Sequence, residues 1–307
     1  MINYRPHMKL DGQRQELLEN SSRHFDLTML DSTREPGIVP GRVISPHWHR
    51  QLEVFFLPKG RVQVGVGDKT WLLGAGESCL INSGALHSFT YLEGPAQYRS
   101  FLFNPGIVAG APGSVFDTDY VRPFVENGPS FIPFTPAGDA AFFEAFRETF
   151  RLCREEPPGY ELAVRWALSQ ILFLAKQKGG VRPSRKVTHA QEARVKAMLR
   201  WMEEHLSKPI TVYDIARYGN ICVRTCQKAF RRYLHCSPTE YLQRRRISAA
   251  AQRLTFTDEP ITTIALDCGF SSPSYFTKCF RAEMGCSPKE YRAAARAGAD
   301  GQHEDGE

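Results

Sequence analysis

Hydrophobic positions change their period twice along this chain of 307 residues. In the first third, β-branched and aromatic residues come in short runs punctuated by glycine: Leu52-Glu53-Val54-Phe55-Phe56, Arg61-Val62-Gln63-Val64-Gly65-Val66 and Ser78-Cys79-Leu80-Ile81. Such runs between turn residues predict the strands of an antiparallel β-barrel or sandwich. From Asn104 to Pro136 glycine and proline are frequent, which predicts loops over the barrel. Helical spacing takes over in Ala141 to Cys153 and Leu162 to Lys176, with the breaker Pro157-Pro158-Gly159 between them. Two such helices would cap the barrel or form a dimer seam, and the pattern does not choose. The polar, basic stretch Lys178 to Arg185 has no period and predicts a linker. From His189 onward the pattern is helical again, until a polar tail whose composition predicts disorder.

Length agrees with more than one core. No apolar run is long enough to cross a membrane, and Met1 to Leu18 carries no signal-peptide core. Eight cysteines without regular spacing predict reduced thiols, and with them a cytoplasmic protein. The net charge of +6 is unevenly spread. Residues 1–181 carry 18 Lys/Arg against 19 Asp/Glu, whereas residues 182–297 carry 21 against 10. A basic excess confined to one region is the electrostatic footprint of a domain that faces phosphates, although a solvated basic surface has the same composition.

That region says nearly the same thing twice. Phe230-Arg231 … Cys236-Ser237-Pro238-Thr239-Glu240-Tyr241 returns fifty residues later as Phe280-Arg281 … Cys286-Ser287-Pro288-Lys289-Glu290-Tyr291. In the first copy Ile215-Ala216 sits on one helix, Gly219-Asn220 makes a turn, and a second helix runs from about Val223 to Leu234. On it Arg224, Gln227, Lys228 and Arg231 form a polar stripe opposite Cys226, Ala229, Phe230 and Tyr233. In the second copy Gly269 turns the chain, Ser272-Pro273 caps a helix, and Ser274, Thr277, Lys278 and Arg281 make the stripe opposite Phe276, Cys279, Phe280 and Met284. Each copy closes on Ser-Pro-x-Glu-Tyr, a capping box that opens another helix. Between them Tyr241 to Leu254, with Arg244, Arg245, Arg246 and Arg253, predicts a helix that sets the spacing of the two units. Arg, Gln and Lys are side chains that read base edges and neutralise phosphates.

The stretch Ile261-Thr262-Thr263-Ile264-Ala265-Leu266-Asp267-Cys268-Gly269-Phe270-Ser271-Ser272-Pro273-Ser274-Tyr275-Phe276, continued by Ser287-Pro288-Lys289-Glu290-Tyr291, resembles the signature of AraC/XylS-type transcription regulators. The resemblance covers roughly residues 195 to 293. It implies two helix-turn-helix units on a central helix, recognition helices in successive major-groove segments of double-stranded DNA, and action as an activator with RNA polymerase as partner. Position by position, base reading falls on Arg224, Gln227 and Lys228, then on Ser274, Thr277 and Lys278. Cys222 departs from the family's usual serine cap, and Asn220 from its usual turn glycine.

Upstream, Gly41, His47-Trp48-His49, Glu53 and Gly60 form one constellation, and Gly76, Asn82, Gly84 and His87 a second. In a single strand His47, His49 and Glu53 would share one face, and His87 from a neighbouring strand would complete a set of three nitrogens and one oxygen suited to zinc, iron, manganese or nickel. The spacing resembles both cupin motifs, with Asn82 and Tyr91 as departures. Three readings stand: a pocket whose His47, His49, Glu53 and His87 hydrogen-bond a small effector such as a sugar derivative, a divalent-metal site on the same residues, or polar groups of structural use only. Regulators of this family often carry such a barrel without metal, so the resemblance implies no required cofactor, and an enzymatic cupin is the rival from another class. The expected organisation is multidomain α+β: a cupin-like effector domain (1–137), a helical extension offering dimerisation (138–178), a linker (179–189), an all-α DNA-binding domain with two helix-turn-helix motifs (190–293) and a disordered tail (294–307). The expectation is a regulator that is a homodimer and not an enzyme.

Overall fold

A computed structural model describes residues 2–3, 25–33, 37–38, 40–180 and 186–293. The chain divides into two compact units, Met1–Ala193 and Arg194–Glu307. The first holds one eight-stranded sheet: β1 (Ile2–Asn3), β2 (Leu27–Asp31), β3 (Val43–His47), β4 (Leu52–Val66), β5 (Lys69–Gly74), β6 (Ser78–Ile81), β7 (His87–Phe103) and β8 (Phe131–Phe134). The pairings are antiparallel apart from β1 with β2.

Two hydrophobic runs that look like separate strands are in fact one. β4 is 15 residues long, and each of its halves has its own partner: Glu53–Phe56 pairs with β6, and Arg61–Val66 pairs with β5. The strand turns between them, where its register against β7 shifts at Phe56, Lys59 and Arg61. Gly60 makes this turn possible, with φ +96° and no room for a Cβ, which would lie 2.6 Å from the Cβ of Ala96. The shift changes the parity of the strand. Phe55 and Leu57 before it, and Val62 and Val64 after it, therefore enter the same core with Phe89, Tyr91 and Tyr98.

The other face of the sheet is covered by helices. Leu52 and Val54 join Leu27, Met29, Phe101 and Phe103 in a second core with α3 (Ala140–Glu155) and α4 (Tyr160–Gly179). Phe142 stacks on Phe134 and Phe146 on Phe101, at centroid distances of 3.6 and 5.2 Å. Each such buried ring contributes about 1.5–3 kcal/mol of transfer free energy. The helical pair thus caps the sheet with its buried face. The opposite face of α4 leaves Leu162, Trp166 and Phe173 exposed.

Residues 104–136 are not the loops their composition predicts. They form α1 (Gly106–Ala109), a π-helical turn (Phe116–Val121), α2 (Arg122–Asn127) and β8. Their glycines and prolines mark boundaries: Pro105 and Gly110 bracket α1, Pro123 lies in the first turn of α2, and Gly128 ends it. Pro133 sits on the last strand of the sheet order, where a missing N–H costs no ladder bond. The linker expected at 179–189 is also shorter, because α4 runs through Gly179 with Gly180 as its cap (φ +61°), and α5 (Lys186–Glu204) opens at Lys186. Residues 181–185 and the expected tail at 294–307 lie outside the described residues.

The second unit continues from α5 with α6 (Val212–Tyr218), α7 (Val223–Leu234), α8 (Pro238–Phe256), α9 (Ile261–Asp267) and α10 (Pro273–Met284). Ile247, Ala250 and Leu254 of α8 pack with Ile264 and Ala265 of α9 and Phe276 and Phe280 of α10. All eight cysteines are free thiols. Among the described residues no helix is long and apolar enough to cross a membrane.

Candidate functional site

Two helix pairs, α6–α7 and α9–α10, carry the polar stripes. Thr211 opens α6 through a capping box with Asp214. The turn into α7 divides its work between two residues. Asn220 takes the left-handed conformation (φ +50°), which asparagine tolerates better than most. Gly219 is right-handed (φ −71°), and what it supplies is space: a Cβ there would lie 2.7 Å from Sδ of Met198. Cys222 caps α7 without a side-chain bond to the cap amides, its Sγ lying 3.1 Å from Oγ1 of Thr225. The second turn uses Gly269 at φ +85°, packed against the carbonyl of Leu206. Ser272 then accepts from the Tyr275 amide at 3.2 Å, with Pro273 in the first turn of α10.

Both helices divide as their periodicity predicts. Cys226, Phe230 and Tyr233 of α7, and Phe276, Cys279 and Phe280 of α10, are buried. Arg224, Gln227, Lys228 and Arg231, and likewise Ser274, Thr277, Lys278 and Arg281, are all exposed. One member of the second stripe is partly committed, since Thr277 Oγ1 donates back to the carbonyl of Pro273 at 2.9 Å. The structure adds Tyr275, which is exposed beside Ser274, with its hydroxyl 3.4 Å from Oε1 of Gln243 on α8. Helical spacing does not reveal it, because Tyr275 lies at the border of the stripe.

The arginines of α8 are engaged within their own unit, and Arg244 among them stays exposed. Arg245 grips Glu203 of α5 with two bonds of 2.7 and 3.1 Å. Arg246 donates to the carbonyls of Leu206 and Lys208 at 2.9 and 2.6 Å. Arg253 binds Glu259 and Asp267, and Arg244 lies 3.6 Å from Glu283. The central helix is thereby tied to α5, to the segment after it and to both α9 and α10. A rigid spacer between two readers needs such ties.

In the first unit the second constellation converges, by a different route from the one its spacing suggests. His47 ends β3 and Glu53 lies on β4, while His49 stands in the turn between the two strands, so the three do not share a strand. The turn is held by Gly84 and Ser83: the Gly84 amide donates to the His49 carbonyl at 2.7 Å and Ser83 Oγ to the Arg50 carbonyl at 2.6 Å. Asn82 in turn braces that loop through Phe124. His87 opens β7 directly opposite His47. The rings of His47 and His49 lie 4.1 and 4.9 Å from that of His87, and all four side chains are buried.

Backbone carbonyls fix Nδ1 of each ring as a donor. Nδ1 of His47, His49 and His87 donates to the carbonyl of Ser45, Gln51 and Ala85 respectively, each at 2.9 Å. With Nδ1 engaged in this way, Nε2 is the ring nitrogen left for other partners. The three available ring nitrogens lie within 4.8 Å of one another. Oε2 of Glu53 stands 3.4 and 3.2 Å from Nε2 of His49 and His87, and its Oε1 accepts from Ser100 Oγ at 2.7 Å. Burial pushes the Glu53 carboxyl up, but bonding to His49 and His87 outweighs it and holds the group well below the usual carboxylate range. Burial, then the neighbouring His87 and His49, holds His47 well below the ordinary histidine range. The Tyr91 hydroxyl in the same core is buried without a hydrogen-bond partner, and burial raises it well above the usual phenol range. The wall beneath is aromatic, with Phe55 stacked on Phe89 and Tyr98.

Known proteins resemble this chain in sequence. Residues 31–172 match the family described as AraC-like ligand binding domain, and residues 215–294 match a helix-turn-helix domain family. The uncharacterized HTH-type transcriptional regulator YdeC of Bacillus subtilis is 24% identical over 287 residues, which are 92% of this chain and 97% of that protein. GbdR of Pseudomonas aeruginosa is 33% identical over 36% of this chain and 30% of its own length. The activator RhaS of Enterobacter sp. is 32% identical over 33% of this chain and 36% of its own. The chain therefore spans only about a third of GbdR and RhaS. Among solved structures, an AraC-type regulator from Chromobacterium violaceum covers 38% of this chain and 99% of its own, with 28% identity and a TM-score of 0.34. ToxT from Vibrio cholerae covers 87% and 97%, with 12% identity and a TM-score of 0.44. The two family matches cover both the ligand-binding and the DNA-reading parts, and the chain belongs to the AraC family of helix-turn-helix transcriptional regulators.

Proposed function

We propose that this regulator activates transcription from specific operators, reads them with α7 and α10, and is controlled by a small effector bound in its N-terminal domain. The observation that carries the reading is the pair of exposed, unlike stripes, Arg224/Gln227/Lys228 and Ser274/Thr277/Lys278, on two helices that each contact α8, through Phe230–Tyr241 and Glu283–Arg244. Unlike stripes read unlike bases, so the operator consists of two different boxes about one helical turn apart. Activation is taken from the relatedness to the activator RhaS, and contact with RNA polymerase belongs to that proposed role. Its target places the protein in the cytoplasm, with DNA recognition and not turnover as its activity.

Selecting DNA fragments from the source genome, followed by titration of the selected site at several salt concentrations, tests the reading. Arg224→Ala is expected to cost about 1–3 kcal/mol at the selected site and to relax sequence preference at one position. Arg231→Ala is expected to weaken all DNA evenly and to reduce the salt slope by about 1. Equal affinity for selected and random duplexes at physiological salt would falsify specific regulation and leave the basic face to an acidic partner.

The regulator also acts as a homodimer through α4. Leu162, Trp166 and Phe173 line one face of that helix and are 74%, 68% and 57% exposed. Beside them lies a groove between α3 and α4, lined by Ala141, Glu144, Gln170, Phe173 and Leu174. Sedimentation equilibrium is expected to give twice the chain mass of 34.7 kDa for the native protein and the single mass for Trp166→Glu. A monomeric native protein at micromolar concentration would remove this seam.

A further inference from the structure

We propose that Tyr275 of α10 and Gln243 of α8 together form an uncharged clamp for one phosphate of the DNA backbone, beside the second reader. The inference rests on the proposed reading of DNA by α10 and adds a contact that lies outside both polar stripes.

Tyr275 is 49% exposed, yet both ends of its side chain are placed. Its ring leans on the buried Phe270 at a centroid distance of 6.3 Å, and its hydroxyl donates to Oε1 of Gln243 at 3.4 Å. The packing of α10 does not depend on it, because Phe276, Cys279 and Phe280 carry the buried face of that helix. A long hydrogen bond between two accessible groups also adds little to stability. What the two contacts supply is position. A large side chain that is already ordered in the free protein loses less freedom when DNA binds.

That position belongs to the wall of the groove. Successive residues of a helix are about 100° apart, so Tyr275 points about 110° away from the middle of the stripe Ser274/Thr277/Lys278/Arg281. A helix with its side chains is about 10–12 Å wide and the major groove about 12 Å, so a side chain turned this far from the base edges meets the sugar–phosphate backbone. Tyrosine and glutamine both donate to phosphate oxygens. With Oε1 of Gln243 turned to the tyrosine, its Nε2 amide is left for a further partner and has none among the described residues. A phosphate at this border accepts from Nε2 through one oxygen and takes over the tyrosine O–H through another.

Tyr275→Phe in the full-length protein keeps the ring and its contact with Phe270 and removes only the hydroxyl. It is expected to weaken the selected operator and a random duplex alike, by about 10-fold, since a hydrogen bond to a charged group is lost wherever a phosphate stands. Neither member of the clamp is charged, so the contact releases no counterion and the slope of affinity against salt should stay at the native value. Gln243→Met, neutral and of similar size, is expected to act in the same way and supplies the measurement if Tyr275→Phe does not fold. Both variants should unfold within a few degrees of the native protein, as exposed substitutions do. Operators carrying one neutral methylphosphonate at successive positions locate the phosphate. One position flanking the second box is expected to weaken the native protein about 10-fold and to leave Tyr275→Phe unaffected. Unchanged affinity of Tyr275→Phe, or no methylphosphonate position that separates it from the native protein, overturns the clamp. A loss confined to the operator, with relaxed base preference, overturns it in favour of a base reader. A loss that follows a fall in thermal stability overturns it in favour of a brace between α8 and α10. A native protein without sequence preference fails the regulator reading alone, because the clamp is also read on the random duplex.

Discussion

Phe280→Ala is expected to lower the stability of the C-terminal unit by about 3–5 kcal/mol, the usual range for emptying a fully buried aromatic site. Phe280 is wholly buried, and its ring meets Phe276 and Tyr291 edge-on at 5.4 and 5.5 Å. Around it Ile247 and Leu254 of α8 and Ile264 of α9 close the core that holds α10 against the rest of its unit. A domain of ordinary stability has only about 5–15 kcal/mol in total, so the loss removes much of the margin. Calorimetry should show the C-terminal transition falling by roughly 10 °C or more. Specific DNA binding should weaken with it, although Phe280 touches no DNA in this reading. Phe280→Leu keeps most of the volume and should cost less. A loss below about 1 kcal/mol for the alanine variant would contradict a core closed around this ring.

Arg245→Ala is expected to have an effect of similar size for an electrostatic reason. The guanidinium and the Glu203 carboxylate are joined by two bonds, and their side chains are only 13% and 7% exposed. Deleting the guanidinium leaves the carboxylate in that setting without its bidentate partner, which costs about 3–5 kcal/mol. Replacing both residues by methionine removes the desolvation cost together with the attraction, and should return the protein to within about 1–2 kcal/mol of the native value. A double-mutant cycle from denaturant unfolding measures the coupling. Single and double variants of equal stability would show that the pair does not hold α8 to α5. Because α8 carries both readers, the single variant should also lose affinity for the two-box operator more than for one isolated box.

The polar stripes were legible because a helix is a local structure. Arg224, Gln227, Lys228 and Arg231 share a face through their spacing alone, and the same holds for Ser274, Thr277, Lys278 and Arg281. The caps at Ser237 and Ser272 are equally local, each closing within three residues. The arginines of α8 were legible as charges and not as ties, since the partners of Arg245 and Arg246 lie some 40 residues away. Residues 104–136 depart from the loops their composition predicts for a related reason: glycine and proline mark the ends of short elements as readily as they mark loops, and pairing of β8 with β6 decides between the two.

Sequence by itself determined the repeat, the polar stripes, the basic region and the residue types of the histidine constellation, because each is read along the chain without its fold. Tertiary structure alone decided that β4 is one bent strand, that Gly219 is required for space beside Met198, and that His49 projects from a turn. It also decided that His49 and His87 both present Nε2 to Glu53. The donor role of each ring's Nδ1 follows from a carbonyl two residues away. Their convergence requires β3, β4 and β7 to be placed side by side, by pairings between residues up to about 50 positions apart. No local pattern carries that information.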